Sequence, residues 1–277
     1  MVLGLSSRLE GEEMPVRIEG FAGGDRTSLD LPKVQQALLE TVVAAAAGKP
    51  VVLVLLNGSA LAVGWADRHV PAIVEAWYPG QAAGTAVADV LFGDVSPAGR
   101  LPLTFYRSLD QLPPFDDYSM AKRTYRYFDG EPLYPFGHGL SYSRFAYEKL
   151  ALPKAVPIGR PVPVSVELRN AGGMAADEVV QLYVTDHEAS GPVPRRALKG
   201  FQRVPLKPGE SRVVRFTLDE RAFSLVGADG RRVVEPGRFT IAVGGKQPGL
   251  RGTADAPTTM VLSGEVELTG AVKALAP

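Results

Sequence analysis

The strongest constraint on this fold comes from residues 99–145, where aromatic residues recur with Pro and Gly between them and no regular period can be followed. Three parts of this aromatic run stand out: GRLPLTF at 99–105, TYRYF at 124–128 and YPFGHGLSYSRF at 134–145. A helix or strand buries one face when its apolar residues repeat at the period of that element. The run therefore cannot bury itself as one regular element, and we expect it to lie across other elements and connect them.

Length and composition favour a chain with two cores and many turns. At 277 residues the chain is near the size at which one hydrophobic core splits into two. Its hydrophobic fraction of 45% and charged fraction of 22% are ordinary for a globular protein. The 30 Gly and 23 Pro residues are frequent for a helical protein, so β structure should be extensive.

Charge and cysteine content exclude several function classes. The 30 basic and 30 acidic residues cancel, so no general attraction to nucleic acid or to an anionic membrane is expected, and we expect neither as a partner. The apolar runs at 42–47 and 51–56 are separated by Gly and Pro and are too short to span a bilayer. Because the chain has no cysteine, disulfides, thiolate metal sites and cysteine nucleophiles are excluded.

Strand and helix patterns alternate through residues 1–106. Strands are predicted at 2–5, 51–56, 72–78 and 101–105. Two helices are predicted between them, the first beginning at Pro32 and the second ending at Gly93. Their apolar faces consist of Val34, Ala37, Leu38, Val42 and Ala45, and of Ala83, Ala86, Val87, Val90 and Leu91. This order predicts an α/β domain with a mostly parallel sheet and helices on both faces.

The pattern changes after the aromatic run to strands at regular intervals with Pro and Gly between them. They are predicted at 162–168, 178–185, 197–204, 211–218, 237–243 and 259–268. Such spacing predicts a β-sandwich of roughly seven strands, and the absence of a Cys-Trp-Cys pattern favours a fibronectin III-like sandwich over an antibody-type one. The predicted domains are 1–106 (α/β), 107–158 (connector), 159–270 (sandwich) and 271–277 (tail).

Most motifs of catalysis and cofactor binding are absent from the sequence. It contains no Gly-x-Ser-x-Gly elbow, which excludes a serine α/β hydrolase, and no phosphate-binding glycine loop. The three histidines, His69, His138 and His187, are far apart and have no acidic partner at metal-ligand spacing. We therefore expect no metal and no cofactor.

Three glutamates, Glu10, Glu12 and Glu13, follow the first predicted strand. Parallel sheets place their ligand-handling loops at the carboxyl ends of strands. Neighbouring carboxylates also raise one another's pKa, as a general acid near neutral pH requires. Three glutamates in a loop are nevertheless more often a solvated surface, so the residues alone favour the structural interpretation.

The order of these landmarks resembles the C-terminal part of glycoside hydrolase family 3, the β-glucosidases and β-xylosidases. In the first domain the resemblance is carried by Gly4, Glu10, the Gly-Asp-Arg at 24–26 and the Leu-Asp-Leu-Pro at 29–32. The aromatic run resembles the family's connector, and the sandwich carries EVVQLYV at 178–184, LKGFQ at 198–202 and PGE at 208–210. These matches extend over nearly the whole chain.

The resemblance implies roles for particular residues. Glu10 would be the general acid/base, with Glu13 and Glu12 as alternates because the length of this loop varies in the family. Asp25 and Arg26 would contact the sugar, unless they pair with each other to brace the loop. The rings at 124–128 could stack on a pyranose, but we expect most of them to pack between domains.

The family also implies a part that this chain should lack. A retaining glycosidase needs a nucleophile, which in this family is an aspartate of an N-terminal barrel. We expect the barrel to be absent and the strand at 2–5 to be truncated, so the chain alone should not be a competent glycosidase. Its partners would be an oligosaccharide substrate and a barrel in the same or another chain.

The alternative is a non-catalytic module that binds carbohydrate or protein. Preference for xylose or glucose, linkage, localisation and oligomeric state, a homo-oligomer included, stay open.

Overall fold

Two units make up the computed structural model, which describes residues 1–10, 15–23, 25–251 and 254–276. The first unit consists of Met1–Asp94, Leu103–Ser119 and Gly130–Tyr134. The second consists of Val95–Pro102, Met120–Asp129 and the residues from Pro135 onward. Successive parts of the aromatic run thus belong to one unit and then to the other, and no single element accommodates the run.

The first unit is an α/β domain with a small parallel sheet. Its strands are β1 (Val2–Gly4), β2 (Phe21–Ala22), β3 (Asp25–Arg26), β4 (Val52–Leu56) and β5 (Ala72–Glu75). Its helices are α1 (Lys33–Ala45), α2 (Gly64–His69) and α3 (Ala83–Phe92), and a 3-10 turn covers Leu109–Gln111. β1, β4 and β5 pair in parallel with β4 in the centre, whereas β2 and β3 form a separate hairpin.

The centre of this sheet follows directly from the sequence. β4 is the continuous apolar run VLVLL, and its middle residues are buried, as predicted for a parallel strand covered on both faces. β1 ends at Gly4, whose φ of +136° is accessible to glycine. A Cβ at Gly4 would also overlap the carbonyl oxygen of Leu56. The segment that leads from β1 to Glu10 therefore begins directly beside the end of β4.

Helix α1 forms where predicted but buries a different face. Val34 and Leu38, from the predicted apolar face, are 76% and 50% exposed, whereas Leu39 is fully buried. The side-chain amide of Gln35 accepts the N–H of Gly4 and donates to its C=O, both at 2.8 Å. The helix is therefore oriented by Leu39 and by this bond to β1, and the predicted face was wrong.

Two predicted strands also differ from the structure. The strand predicted at 72–78 ends at Glu75, and Leu101–Phe105 is not a strand, since Phe105 forms an isolated antiparallel bridge with Tyr134. Helix α2 was not predicted at all. Helix α3 ends as predicted at Gly93, which adopts a left-handed φ of 83°.

The second unit is a β-sandwich preceded by one helical turn, α4 (Thr124–Tyr127). Its first six strands are β6 (Phe145–Ala151), β7 (Ala155–Pro157), β8 (Val162–Asn170), β9 (Ala176–Asp186), β10 (Ala197–Leu206) and β11 (Ser211–Leu218). After a 3-10 turn at Glu220–Phe223 follow β12 (Leu225–Val226), β13 (Arg232–Val234), β14 (Gly237–Gly244), β15 (Val261–Thr269) and β16 (Lys273–Ala274). All six predicted sandwich strands are present, whereas β6, β7, β12, β13 and β16 were not predicted.

The sandwich has a five-stranded sheet in the order β10-β9-β14-β15-β7 and a three-stranded sheet in the order β11-β8-β6, with β12, β13 and β16 in a small third sheet. One apolar core contains side chains of both larger sheets, including Val166 of β8, Leu182 of β9 and Ile241 of β14. The chain therefore has the predicted class, an α/β domain followed by an all-β sandwich. In the part of the chain that the structure describes, no helix has the length and apolarity needed to cross a membrane.

A buried ion pair fixes residues 95–102 within the second unit. Arg100 Nη2 lies 2.6 Å from Glu178 Oε2, and the Glu178 side chain is fully buried. Glu178 Oε1 accepts hydrogen bonds from the hydroxyls of Tyr147 and Thr259. Burial raises the pKa of Glu178, while the Arg100 charge opposes that shift. This pair joins the GRLPLTF and EVVQLYV motifs.

Candidate active site

Glu10, the first of the three glutamates after β1, is held by a turn that follows this strand. The backbone N–H groups of Leu9 and Glu10 donate to the carbonyl of Ser6 at 2.8 and 3.2 Å. The Glu10 side chain is only 9% exposed. A carboxylate this well covered needs hydrogen-bond donors.

Three donors meet at that carboxylate. The backbone N–H of Gly58 donates to Oε2 at 2.7 Å, the hydroxyl of Ser59 donates to Oε1, and the hydroxyl of Tyr78 donates to Oε2. We call Glu10, Gly58, Ser59 and Tyr78 the Glu10 clamp. Gly58 and Ser59 follow β4, and Tyr78 follows β5, so the clamp is built from the carboxyl ends of adjacent parallel strands.

Arg26 adds a positive charge to one side of the clamp. Its Nη1 lies 3.9 Å from Glu10 Oε1 and donates to Ser59 Oγ and to the Ala60 carbonyl, both at 2.7 Å. Its Nε donates to the Ser28 carbonyl at 3.1 Å. Burial lowers the pKa of Arg26, and the charges of Glu10 and Asp30 oppose this shift. Arginine remains a cation near neutral pH, so it places a positive charge beside the Glu10 carboxyl group.

A second carboxyl group, Glu75, lies at the end of β5. Oε1 accepts the backbone N–H of Trp77 at 3.1 Å, and Oε2 accepts the side-chain amide of Asn57 at 3.3 Å. Burial, together with a smaller contribution from the negative charge of Glu10, raises the pKa of Glu75 to about 7. The site therefore holds two carboxyl groups in different environments, one fixed by an arginine and three donors and one that titrates near neutrality.

Tyr78 serves the clamp as a neutral donor. Burial and its hydrogen bond to Glu10 raise the pKa of Tyr78 well above the ordinary value. The phenol therefore keeps its proton at all physiological pH values and continues to donate to Glu10.

The predicted site residues have different surroundings. Glu10 and Arg26 come together, but Asp25 is exposed, and no ion pair joins Asp25 to Arg26 in the described ranges. Glu12 and Glu13 lie outside the described residues. Sequence reasoning missed Ser59, Glu75 and Tyr78, together with the amide of Asn57. Their position at or after the carboxyl ends of two parallel strands was the available signal, but extending the second strand to residue 78 concealed it.

The aromatic segment at 124–128 contributes to packing within the second unit. Tyr125 stacks on Phe136 with centroids 4.1 Å apart and meets Tyr183 edge-on at 6.3 Å. Phe128 is buried. At residues 1–10, 15–23, 25–251 and 254–276 no group of three or more His, Asp and Glu is arranged to hold a metal ion.

Comparison with known families gives two matches. Residues 1–142 match the family described as glycosyl hydrolase family 3 C-terminal domain. Residues 178–247 match the fibronectin type III-like domain.

Curated relatives and solved structures agree with these matches. The chain is 44% identical over 243 residues to a xylan 1,4-beta-xylosidase of Xylanibacter ruminicola, covering 87% of this chain and 28% of that protein. It is 43% identical over 241 residues to thermostable beta-glucosidase B of Acetivibrio thermocellus, covering 82% of this chain and 31% of that protein. The chain thus spans less than a third of the length of these relatives.

A crystal structure of a beta-glucosidase from Listeria innocua in complex with glucose superposes with a TM-score of 0.79 at 32% identity. The similarity covers 98% of this chain and 36% of that one.

Proposed function

The chain belongs to glycoside hydrolase family 3, and from this premise we propose that it is the C-terminal portion of a retaining exo-β-glycosidase of the β-xylosidase or β-glucosidase type. Its substrates would be oligosaccharides with terminal β-linked sugars. The names of the relatives support this substrate class, because both a β-xylosidase and a β-glucosidase are more than 40% identical to the chain.

The proposed reaction uses two carboxyl groups roughly 5–5.5 Å apart. The acid/base carboxyl protonates the leaving oxygen while the nucleophile attacks the anomeric carbon and forms a glycosyl-enzyme. The same carboxylate then takes a proton from water, whose oxygen attacks the anomeric carbon and releases the nucleophile. We assign the acid/base role to this chain and the nucleophile, an aspartate, to an N-terminal barrel domain in the same or another chain.

Glu10 is our first candidate for the acid/base, with Glu13 and Glu12 as alternates. The observation that carries this choice is the Glu10 clamp, which fixes a largely buried carboxylate at the carboxyl edge of the parallel sheet. The clamp holds this carboxyl group in one position for both proton transfers of the reaction. Glu13 and Glu12 are kept as alternates because the length of this loop varies in the family.

Arg26 braces the clamp in this proposal, because Nη1 and Nε donate to Ser28, Ser59 and Ala60. Its Nη2 is buried and has no hydrogen-bond partner among the described residues, so we retain Arg26 as a candidate donor to a sugar hydroxyl. Asp25 is exposed on the β2–β3 hairpin, so we retain it as a candidate contact to a sugar hydroxyl.

Hydrolysis of nitrophenyl β-xyloside and β-glucoside tests this proposal. We expect no turnover by the purified chain, and turnover when the chain is fused to the barrel domain of a family 3 β-xylosidase. Glu10→Ala should abolish the activity of the fusion. Clear turnover by the chain alone that is lost in Glu10→Ala would contradict the proposal. Tight binding of xylo- or cello-oligosaccharides to an inactive fusion would favour a non-catalytic binding module.

A further inference from the structure

We infer that Glu75 is the positioning residue that holds both arms of the Glu10 clamp in place. One arm is the turn that carries Gly58 and Ser59 after β4, and the other is the segment that carries Tyr78 after β5. The catalytic consequence of this inference rests on the proposed function, whereas the positioning itself can be measured without catalysis.

The first arm is tied to Glu75 through Asn57. The fully buried side-chain amide of Asn57 donates to Glu75 Oε2 at 3.3 Å and to the Ser59 carbonyl at 2.8 Å. The same turn presents the Gly58 N–H and the Ser59 hydroxyl to Glu10. A shift of Glu75 would therefore release the amide that shapes this turn.

The second arm is tied to Glu75 through Trp77. This residue has a φ of 54°, a left-handed conformation that is uncommon for a bulky side chain. Its backbone N–H donates to Glu75 Oε1 at 3.1 Å, and the N–H of Ala76 donates to the Leu55 carbonyl at 2.9 Å. Tyr78 follows immediately, so the hydrogen bond to Trp77 fixes the backbone that directs the Tyr78 hydroxyl at Glu10.

How firmly Glu75 holds the two arms of the Glu10 clamp depends on the charge of its carboxyl group. Because burial and the charge of Glu10 raise the pKa of Glu75 to about 7, the carboxyl loses its proton as pH rises through neutrality. The ionised form is the stronger acceptor for the Trp77 N–H and the Asn57 amide, so both arms should be held more firmly above that pH.

Within the part of the chain that the structure describes, few other ionisable groups lie around Glu75. The charge of Glu10 acts on Glu75, and Arg26 and Tyr78 adjoin Glu10. Strand β4 has none, and α2, which packs on β5, carries Asp67, Arg68 and His69.

Two of the groups on α2 need attention in an experiment. Asp67 accepts a hydrogen bond from the Tyr134 hydroxyl at 2.6 Å, and His69 stacks on Trp65 with ring centroids 4.2 Å apart. Removing Trp65 therefore leaves the emission of Trp77 and eliminates the tryptophan that is stacked on His69.

Tryptophan fluorescence tests the inference, because the chain has two tryptophans. In a Trp65→Phe background the emission reports Trp77 alone. We expect this emission to titrate with a midpoint of about 7. The titration should disappear when Glu75→Gln is added and persist when His69→Gln is added instead. A flat profile in the Trp65→Phe chain, or an unchanged midpoint with Glu75→Gln, would overturn the inference.

Kinetics of the barrel fusion separate a positioning role from a merely structural one. Glu75→Gln should move the limb of the kcat/KM profile near pH 7 and leave the fusion folded. Glu75→Leu should lower kcat by as much as about 10²-fold with little change in KM. An inactive fusion with an intact Trp77 titration would refute the proposed function but not the inference. An unaltered pH profile in Glu75→Gln would refute the inference alone.

Discussion

At the residue scale, the Glu10 carboxylate owes its position to groups that are distant in sequence and adjacent at one sheet edge. Each donor follows a strand end, and Arg26 arrives from the β2–β3 hairpin. Gly58 is also required by space, since a Cβ there would lie 2.7 Å from the Tyr78 ring and 3.3 Å from Glu10 Oε2. The site is therefore a packed arrangement in which few side chains can change independently.

Arg26 should be important for the stability of the first unit. Arg26→Met removes three hydrogen bonds to oxygen acceptors and leaves Glu10 without its cation, so we expect a loss of about 2–4 kcal/mol. Urea unfolding followed by tryptophan fluorescence measures this loss, because Trp65 and Trp77 both lie in the first unit.

Arg17→Met is the matched control, since Arg17 is exposed. It should change the free energy of unfolding by less than about 0.5 kcal/mol. Equal effects of the two substitutions would show that Arg26 does not brace the clamp.

At the scale of elements, the sequence defined existence and type better than orientation. The continuous apolar run at β4 and the regular strands of the sandwich were confirmed, because burial on both faces and period-two alternation leave a local signal. The orientation of α1 was not predicted. It depends on Leu39 and on a Gln35 bond to Gly4, neither of which stands out in the helical period.

The residues of the candidate site also differ in whether the sequence could indicate them. Glu10 was singled out by the family resemblance, since its place after a parallel strand permitted a site but the residues alone favoured a solvated loop. Glu75 and Tyr78 could not be singled out, because their roles depend on β5 ending at Glu75 and on the left-handed backbone of Trp77, neither of which the apolar pattern predicts.

Two neighbouring leucines of α1 test the observed orientation. Leu39→Ala removes a fully buried side chain and should cost roughly 2–5 kcal/mol of the free energy of unfolding. Leu38→Ala, at a half-exposed position of the same helix, should cost less than about 0.5 kcal/mol.

The change in helix propensity is the same for both substitutions, so the difference reports burial alone. Urea unfolding monitored by tryptophan fluorescence provides the measurement. A larger loss for Leu38→Ala would restore the face that the sequence predicted.

At the scale of the whole molecule, the motifs that carry the family resemblance have physical partners in the second unit. Arg100 of GRLPLTF pairs with Glu178 of EVVQLYV in the sandwich core, so these two motifs depend on each other. The first unit holds the clamp, and the proposed function places the nucleophile in a domain other than the two matched here. The central claim is thus that one of the three glutamates after β1, Glu10 in the first place, supplies one of the two carboxyl groups of a retaining site.

Azide rescue in the barrel fusion tests this claim most directly. Glu10→Gln should slow hydrolysis of nitrophenyl β-xyloside by roughly 10²–10⁴-fold and spare formation of the glycosyl-enzyme from a dinitrophenyl glycoside, whose leaving group needs no proton. Azide should restore turnover and yield a β-glycosyl azide, because it attacks without a general base. Glu12→Gln and Glu13→Gln are the matched comparisons. Rescue confined to one of these two would move the role to that alternate, and no rescue in any of the three would contradict the claim.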